Sequence, residues 1–261
     1  MDLKRVSKSP LRYPGGKTRA VHILDAYIPE GTQSVCSPFF GGGSFELHLT
    51  KRGIRIAGYD YFEQLCIFWN ELLDSPGQLA DLLEDYYGNT SKEMFNAAQK
   101  RLMDMEGSNR EIARDFFIVN RSSFSGATLS GGYSKMASEQ RFNESSVFRV
   151  RNFRNDLVSV TYADALDVIP KSEEDVLFLD PPYLLESSSL YGVKGDKHKD
   201  FDHESFYEAV ISSGKPFILT YNNHPDIRKL WSNFDQIETS WSYGMNSSKK
   251  SSELIIHNGL V

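Results

Sequence analysis

The feature that most constrains this chain is an apolar run that ends abruptly, Val176-Leu-Phe-Leu-Asp180-Pro-Pro-Tyr183. Proline has no backbone N–H to donate to a sheet, so the two consecutive prolines indicate a strand that stops at the acidic residue. Two similar runs, Val158–Tyr162 and Pro216–Tyr221, are separated from it by helical stretches, one of which begins at Asp202. Strands that alternate with helices predict an α/β fold with a mostly parallel sheet covered on both faces.

Both ends of the chain share this pattern. Near the start, an amphipathic stretch over Thr18–Ile28 precedes two short predicted strands, Ser34–Cys36 and Ile54–Asp60. Near the end, Gln236–Tyr243 and Glu253–His257 are joined by a segment rich in glycine, asparagine and serine. That arrangement predicts a hairpin at the edge of the sheet.

The middle of the chain has a different pattern. It is helical to about Asn120, with helix-start signals at Ser75-Pro76 and Asn89-Thr-Ser91, and then becomes rich in serine and glycine. We therefore expect one sheet domain formed by residues 1–62 and 156–261, with residues 63–155 inserted as a second domain.

Charge is distributed unevenly along the chain. The 261 residues include 29 Lys and Arg against 35 Asp and Glu, a net charge of −6, which argues against nucleic-acid binding by bulk charge. Between Arg121 and Arg154, however, six basic residues face two acidic ones, so this segment carries +4 and the remainder −10. The six are Arg121, Lys135, Arg141, Arg149, Arg151 and Arg154. This asymmetry predicts an anionic partner for the inserted segment.

Several classes of protein are disfavoured by what the sequence lacks. Cys36 and Cys66 cannot make a disulfide framework or a four-cysteine zinc site, and the six histidines show no metal-ligand spacing, so no metal is expected. No apolar run approaches the roughly 20 residues of a membrane span, and we expect a cytoplasmic protein. Lys17 follows a Gly-Gly pair but lacks the spacing of a nucleotide-binding phosphate loop, although it could pair with a ligand carboxylate.

The Asp-Pro-Pro-Tyr segment is suited to binding an amino group. Pro181 and Pro182 offer no N–H, so the loop presents only acceptors, the carboxylate of Asp180 and backbone carbonyls. Tyr183 adds a flat surface for a planar ring. Acceptors aimed at an exocyclic amine would position it and stabilise the positive charge that develops when its nitrogen attacks.

A glycine-rich turn, Pro38-Phe-Phe-Gly-Gly-Gly-Ser44, is followed 19 positions after Gly41 by an acidic residue, Asp60, at the end of a predicted strand. Glycines let a ligand approach the backbone, and a carboxylate at that spacing can accept hydrogen bonds from ribose hydroxyls. Asp164 closes a third predicted strand. Three strand ends with carboxylates predict a site for an adenosyl ligand at one edge of the sheet.

The motifs Tyr13-Pro-Gly-Gly-Lys17, Phe39-Phe-Gly-Gly-Gly43, Asp60 and Asp180-Pro-Pro-Tyr183, in that order, resemble those of the DNA adenine methylase family of adenine-specific N6 methyltransferases. The resemblance spans nearly the whole chain, and the motif order is similar to that of alpha-type amino methyltransferases. It implies a Rossmann-like, S-adenosylmethionine-dependent methyltransferase sheet with an inserted helical and β-hairpin target-recognition domain.

The resemblance also implies residue roles. Asp60 would bind the ribose of S-adenosylmethionine and Asp164 its adenine. The implied cofactor-binding residues are Tyr13, Lys17, Phe39, Gly41, Gly43, Asp60, Asp164 and Asp180. The implied catalytic residues are Asp180, Pro181, Pro182 and Tyr183, acting on an adenine flipped out of duplex DNA, with direct methyl transfer and no covalent enzyme intermediate.

The segment Asn120-Arg-Ser-Ser-Phe-Ser-Gly126 resembles the start of the family's DNA-reading hairpin. The residues after it differ from those of members that read GATC, so we expect another target sequence. Candidate phosphate contacts are Arg121, Lys135, Arg149, Arg151 and Arg154, and candidate base contacts are Ser122, Ser130 and Tyr133.

Alternatives remain at this point. An RNA adenine methyltransferase would use the same catalytic loop, and a non-catalytic DNA-binding relative would keep the insertion. A nicotinamide-dependent oxidoreductase gives Asp-Pro-Pro-Tyr no task, and a protein-glutamine methylase would carry Asn in place of Asp180. We expect a monomer, and the sequence leaves open whether a cognate restriction nuclease accompanies it or the enzyme acts as an orphan.

Overall fold

The computed structural model describes residues 8–126, 128–184, 201–241 and 252–259. The chain divides into two compact units. Of the described residues, the sheet unit contains 15–61, 157–184, 201–241 and 252–259, and the helical unit contains 8–14 and 62–156 without 127. No helix in the described part of the chain is long and apolar enough to span a membrane.

The sheet unit is built on seven strands in its described residues. They are β1 (Ser34–Ser37), β2 (Arg55–Asp60), β3 (Val158–Tyr162), β4 (Val176–Leu179), β5 (Phe217–Asn222), β6 (Asp235–Thr239) and β7 (Glu253–His257). Their order is β3-β2-β1-β4-β5-β7-β6, and the first five are parallel. β7 is antiparallel to both β5 and β6. This topology confirms the predicted Rossmann-like α/β sheet, including the closing antiparallel pair.

The strand order reverses direction around β1, which pairs with β2 on one side and β4 on the other. In open α/β sheets, ligands bind at the carboxyl ends of the strands near such a reversal. Those ends here are followed by the glycine turn after β1 and by Asp180 after β4. The topology therefore brings the predicted motifs to one edge of the sheet.

Helices cover this sheet. Those described are Val21–Asp25, Ser44–Leu49, Ala165–Val168, His203–Ser213 and Pro225–Leu230. The first is shorter than the predicted Thr18–Ile28, because Pro29 disfavours helical geometry at the residue before it and the flanking residues form turns. The Asp202 side chain caps the fourth helix, as expected, by accepting from the N–H groups of Glu204 and Ser205.

The core of the sheet unit is aromatic beneath β5. Trp231 is fully buried and its ring centre lies 5.6 Å from that of Phe217 and 6.0 Å from that of Phe206. Leu219 of β5 and Ile256 of β7 are also fully buried in this cluster. Burial of such side chains contributes about 1.5–3 kcal/mol each and fixes the strands that carry the site.

The helical unit contains six described α-helices, Glu63–Asp74, Pro76–Leu83, Lys92–Asp104, Asn109–Ser122, Lys135–Arg141 and Glu144–Arg151. The predicted helix start at Ser91 is confirmed, since its side chain accepts from the Met94 N–H. Ser108 begins the central helix with a capping box closed by Glu111. Phe116 and Phe117, on that central helix, are fully buried and stack on Phe68.

The expected β-hairpin in the serine- and glycine-rich segment is reduced to one bridge. In the described residues of 123–134, Ser123 and Tyr133 form a single antiparallel bridge, and Phe124–Gly126 is a 3₁₀ turn. A helix begins immediately after, at Lys135. The segment lacks the alternating apolar and β-branched residues that hold paired strands together, so the loop is closed by local hydrogen bonds instead.

Candidate active site

The carboxylate of Asp180 lies at the carboxyl end of β4 and is held by donors from two other segments. Lys17 Nζ lies 2.6 Å from each carboxylate oxygen. Thr220 Oγ1, from the neighbouring strand β5, donates to Oδ1 at 2.7 Å. A carboxylate has about four acceptor positions. Within the described residues, these contacts use three of them, so about one is left for another donor.

Lys17 is buried in spite of its charge, with 4% of its surface exposed. Its Nζ also donates to the Gly15 carbonyl at 3.1 Å and lies 5.3 Å from the centre of the Tyr183 ring. A buried ammonium needs such compensation by an opposite charge, an acceptor and an aromatic face. The structure thus brings Lys17 together with Asp180 and Tyr183 in one cluster.

The glycine turn after β1 is tied to the end of β2. Gly41 N–H donates to Oδ2 of Asp60 at 2.8 Å, and Phe40 N–H donates to the Tyr59 carbonyl at 2.9 Å. Gly41 and Gly43 have φ angles of 49° and 63°, in the left-handed region that residues with a Cβ rarely adopt. The glycines allow this tight turn, and Asp60 fixes it in place.

Gly58 supports the glycine turn through its contact with Phe40, and this role was not predicted from the sequence. A Cβ at this position would lie 2.4 Å from Cδ2 of Phe40, closer than any real contact. Only glycine lets the Phe40 ring pack on β2 here. The available signal was a glycine inside a predicted strand, which often marks a close approach.

Glu46, in the helix after the glycine turn, was also missed. It is 3% exposed, and its Oε1 accepts a hydrogen bond from Ser37 Oγ at 2.7 Å. Burial raises the pKa of Glu46 to about 7; the negative charge of Asp180 adds to this rise, while the hydrogen bond from Ser37 and the charge of Lys17 oppose it. Glu46 therefore titrates near neutral pH and is close enough to Lys17 and Asp180 for their charges to affect its pKa.

Tyr221 and His203 form a hydrogen-bonded pair in the sheet unit. The Tyr221 hydroxyl lies 2.7 Å from His203 Nδ1. Burial raises the pKa of Tyr221 well above its ordinary value, and the charge of Asp180 adds to this effect. Burial lowers the pKa of His203, with Asp202 opposing. One of these two groups therefore donates to the other, and the Tyr221 ring lies 6.1 Å from that of Tyr183, centre to centre.

The other residues predicted to bind the cofactor or to act in catalysis differ in their burial and contacts. Pro181 is buried, and Pro182 is half-buried. Phe39 packs on two phenylalanine rings, 5.8 and 5.6 Å away. Asp164 Oδ1 accepts from the Leu166 N–H at 2.9 Å and so caps the helix that follows β3. Tyr13 falls in the helical unit.

In the helical unit, two of the residues predicted to contact bases are buried or hydrogen-bonded within the unit. Ser122 is fully buried, so its side chain is not accessible to a base edge. The Tyr133 hydroxyl donates to the Thr90 carbonyl at 2.8 Å. Ser130 is half-buried.

Three of the predicted phosphate contacts also have partners within the unit. Arg151 pairs with two carboxylates at 2.7 and 2.6 Å. Lys135 lies 3.7 Å from Glu139, and Arg154 donates to two backbone carbonyls. Arg121 and Arg149 differ from these, as described below.

The Asn120-Arg-Ser-Ser-Phe-Ser-Gly126 motif also holds the start of the described chain. Asn120 accepts from the Arg12 N–H at 3.0 Å and donates to the Arg12 carbonyl at 2.6 Å. At Gly126, a Cβ would lie 2.6 Å from that same carbonyl oxygen. Asn120 and Gly126 therefore have structural roles in fixing Arg12.

The strand order, the glycine turn held by an acidic residue at the end of β2, and the Asp-Pro-Pro-Tyr loop after β4 together are those of a Rossmann-like methyltransferase sheet, and the acceptors of that loop suit an amino group. The chain belongs to the D12 class N6 adenine-specific DNA methyltransferase family, whose model matches residues 13–245. It is therefore a site-specific DNA methyltransferase that acts on N6 of adenine. This confirms the predicted reaction and favours DNA over the RNA alternative.

Among characterised proteins, the chain is similar to the Type II methyltransferase M1.LlaDCHI of Lactococcus lactis subsp. cremoris, with 24% identity over 289 residues covering 99% of each protein. Solved structures with a similar outline include a putative RNA methyltransferase from Pyrococcus horikoshii, with 12% identity, 98% and 90% coverage and a TM-score of 0.41. Another is magnesium protoporphyrin IX methyltransferase from Synechocystis PCC 6803 with bound SAM, with 12% identity, 92% and 79% coverage and a TM-score of 0.39.

Proposed function

We propose that the protein transfers the methyl group of S-adenosylmethionine to N6 of an adenine that is flipped out of duplex DNA and bound against Asp180. A base inside the stack cannot present its amino group to a buried carboxylate, and unstacking it costs a few kcal/mol. The observation that carries the proposal is the Asp180 carboxylate, fixed by Thr220 and Lys17 at the carboxyl end of β4.

The residues around the glycine turn fit this cofactor. Gly41 and Gly43 have no Cβ that would obstruct a ligand at the turn, and Asp60 stands at the end of β2, where a ribose carboxylate is needed. S-adenosylmethionine, when bound, supplies an electrophilic methyl group on a positively charged sulfur. The residues proposed to hold it are Tyr13, Lys17, Phe39, Gly41, Gly43, Asp60, Asp164 and Asp180.

The chain's own residues position the amino group. The remaining acceptor position of Asp180 and the carbonyl of Pro181 would accept the two amino hydrogens, and Tyr183 would stack on the adenine ring. Thr220 keeps Asp180 from rotating, since it holds Oδ1 at 2.7 Å. Such fixed acceptors contribute through positioning, because the reacting nitrogen is held in one orientation.

The same carboxylate would stabilise the charge that develops on nitrogen during transfer. Lys17 acts in the opposite direction, because its ammonium group, 2.6 Å from Asp180, offsets the negative charge of that carboxylate. No side chain needs to form a bond to the base, and the surplus proton leaves N6 after transfer.

Labelling of DNA tests this proposal directly. Purified protein, radiolabelled S-adenosylmethionine and unmethylated duplex DNA should give label at N6 of adenine, and Asp180→Ala should abolish it without loss of helical circular dichroism. Asp167→Asn, an exposed carboxylate of the same unit, is the matched control and should keep full activity. Label in cytosine, or in RNA in preference to duplex DNA, would contradict the proposal.

The two units would then divide the work. We propose that residues 1–62 and 156–261 form the catalytic domain and residues 63–155 the target-recognition domain, reading a sequence other than GATC. Sequencing that detects modified bases, applied to DNA from cells expressing the protein, would give the target directly. Methylation confined to GATC would refute the second part of this proposal.

A further inference from the structure

Arginines of the helical unit fall into two groups. Those of the first are each paired with carboxylates: Arg101 and Arg114 with Asp115, Arg110 with Glu71, and Arg151 with Asp81 and Glu84. Those of the second form no ion pair with any described carboxylate and donate to no carbonyl outside their own helix: Arg121, Arg141 and Arg149. Arg154 also has no described carboxylate, but it donates to two backbone carbonyls. The second group is therefore uncompensated within the described residues.

Arg121 is the unusual member of this group. It lies in the last turn of the helix Asn109–Ser122 and is only 6% exposed. Its guanidinium lies 5.5 Å from the Phe117 ring centre, and its buried Nε–H has no acceptor among the described residues. A buried charged donor without an acceptor is costly, so its presence calls for a ligand that supplies one.

Three other arginines converge on Arg121. Burial lowers the pKa of Arg121 to about 10, and the positive charges of Arg149, Arg12 and Arg141 add to this effect in that order. Burial and the charge of Arg141 likewise lower the pKa of Arg12. Arg141 and Arg149 are half-buried. Four cations thus share one region of a single unit.

The packing explains why they meet. The backbone of Arg12 is fixed on both sides by Asn120, the residue directly before Arg121. Phe117, beneath the Arg121 guanidinium, also contacts the ring of Phe142 edge to face at 5.7 Å between centres. Phe142 directly follows Arg141, so the ring that contacts Arg121 also packs against the residue next to Arg141.

Arg149 comes from the last of the six helices. Its one described hydrogen bond joins Nε to the Ser145 carbonyl of its own helix at 3.3 Å. The neighbouring Val147 and Val150 are buried and hold this helix against the unit. The side chain is therefore oriented by its helix but not neutralised by a carboxylate.

We propose that Arg12, Arg121, Arg141 and Arg149 form one anion site that receives a phosphodiester group of the bound DNA. The planar guanidinium suits phosphate because it offers paired N–H donors, and a bound phosphate would supply the acceptor that Arg121 lacks. The inference rests on the proposed function for its choice of anion. The site includes Arg12 and Arg141, which were not among the candidate phosphate contacts predicted from the sequence.

Binding of a short duplex, measured by fluorescence anisotropy across a range of salt concentrations, tests the site. Arg141→Gln and Arg149→Gln should each weaken binding about tenfold on every sequence and reduce the salt slope by about one. Arg151→Gln, whose arginine is paired with carboxylates, is the matched control and should bind DNA as the wild type does. Equal losses in all three variants, or none in the first two, would overturn the proposal.

Thermal unfolding without DNA provides an independent measurement. Because like charges repel in the free protein, Arg141→Gln should unfold at the same temperature as the wild type or higher, whereas Arg151→Gln should unfold lower. Inorganic phosphate should raise the unfolding temperature of the wild type more than that of Arg141→Gln. Stabilisation by phosphate together with unchanged DNA binding in the variants would mean a small-anion site and refute the DNA assignment.

Methylation at saturating DNA separates this inference from the proposed function. The wild-type protein is tested for labelling of adenine N6 beside the binding assay, because Asp180 belongs to the sheet unit and the four arginines to the helical unit. A protein that binds DNA with the expected salt dependence but never labels adenine N6 would contradict the proposed function and leave the anion site standing.

Discussion

Replacing Glu46 by glutamine should stabilise the protein, and the gain should grow as the pH rises. The wild-type carboxyl group is buried, so its pKa lies at about 7 in the folded protein against 4.5 for an exposed glutamate. Between these two values the folded chain holds a proton that the unfolded chain has released. The free energy of unfolding therefore falls as the pH rises through this window and levels off above about pH 7.

The size of the effect follows from the same two values. Each pKa unit corresponds to about 1.4 kcal/mol, so the separation between 4.5 and about 7 amounts to about 3 kcal/mol once Glu46 is ionised in both states. Glutamine stays neutral and can still accept from Ser37 through its Oε1. The stability difference between variant and wild type should thus widen by about 2 kcal/mol from about pH 5.5 to about pH 8.5.

Urea denaturation of both proteins over that pH range is the assay, with the pH dependence of the difference as the readout. An imperfect fit of the glutamine NH₂ group would shift all values equally and leave the dependence unchanged. Glu208→Gln, the same substitution at an exposed position in the middle of a helix, should show a flat difference. A flat difference for Glu46→Gln as well would refute the assignment of a buried carboxyl group that titrates near neutral pH.

Three further substitutions test the packing described above. Gly58→Ala should lower the free energy of unfolding, measured by urea denaturation, by about 1–3 kcal/mol, because the new methyl group would overlap the Phe40 ring. An unchanged free energy of unfolding would mean that the ring can move aside. Asn120→Ala removes two hydrogen bonds from the backbone of Arg12 and should lower the free energy of unfolding by about 2 kcal/mol, measured in the same way. An unchanged denaturation midpoint would contradict the role of Asn120 in fixing Arg12. Asp115→Ala leaves two arginines without their shared carboxylate and should lower stability by about 3 kcal/mol; a loss below about 0.5 kcal/mol would show that solvent already screens the pair.

Local patterns in the sequence were enough to predict most of the sheet. The bounds of β3 and β4 match the predicted runs, because an acidic residue lies within two positions of each end of both strands. The Asp202 and Ser91 helix starts depend on side-chain hydrogen bonds within three residues. The position of Asp180 was predictable from a local pattern too, because it directly follows the last apolar residue of β4.

Contacts between distant segments were not predictable. Thr220 reaches Asp180 only because β5 pairs with β4, and Glu46 is buried only because its helix packs over the glycine turn. The charge count over Arg121–Arg154 also did not include Glu84, the partner of Arg151, because Glu84 lies 67 positions earlier in the chain. The predicted hairpin failed because similarity to a motif does not supply the alternating side chains that strands require.

The place of β7 in the sheet has a consequence for biosynthesis. β7 follows β6 in the chain but lies between β6 and β5, so neither neighbour can complete its hydrogen bonding until β7 has emerged from the ribosome. Until then β5 has an open edge that can pair with other chains. Because β5 carries Thr220, the donor that orients the Asp180 carboxylate, a nascent chain would gain the ordered candidate site only after β7 has been synthesised.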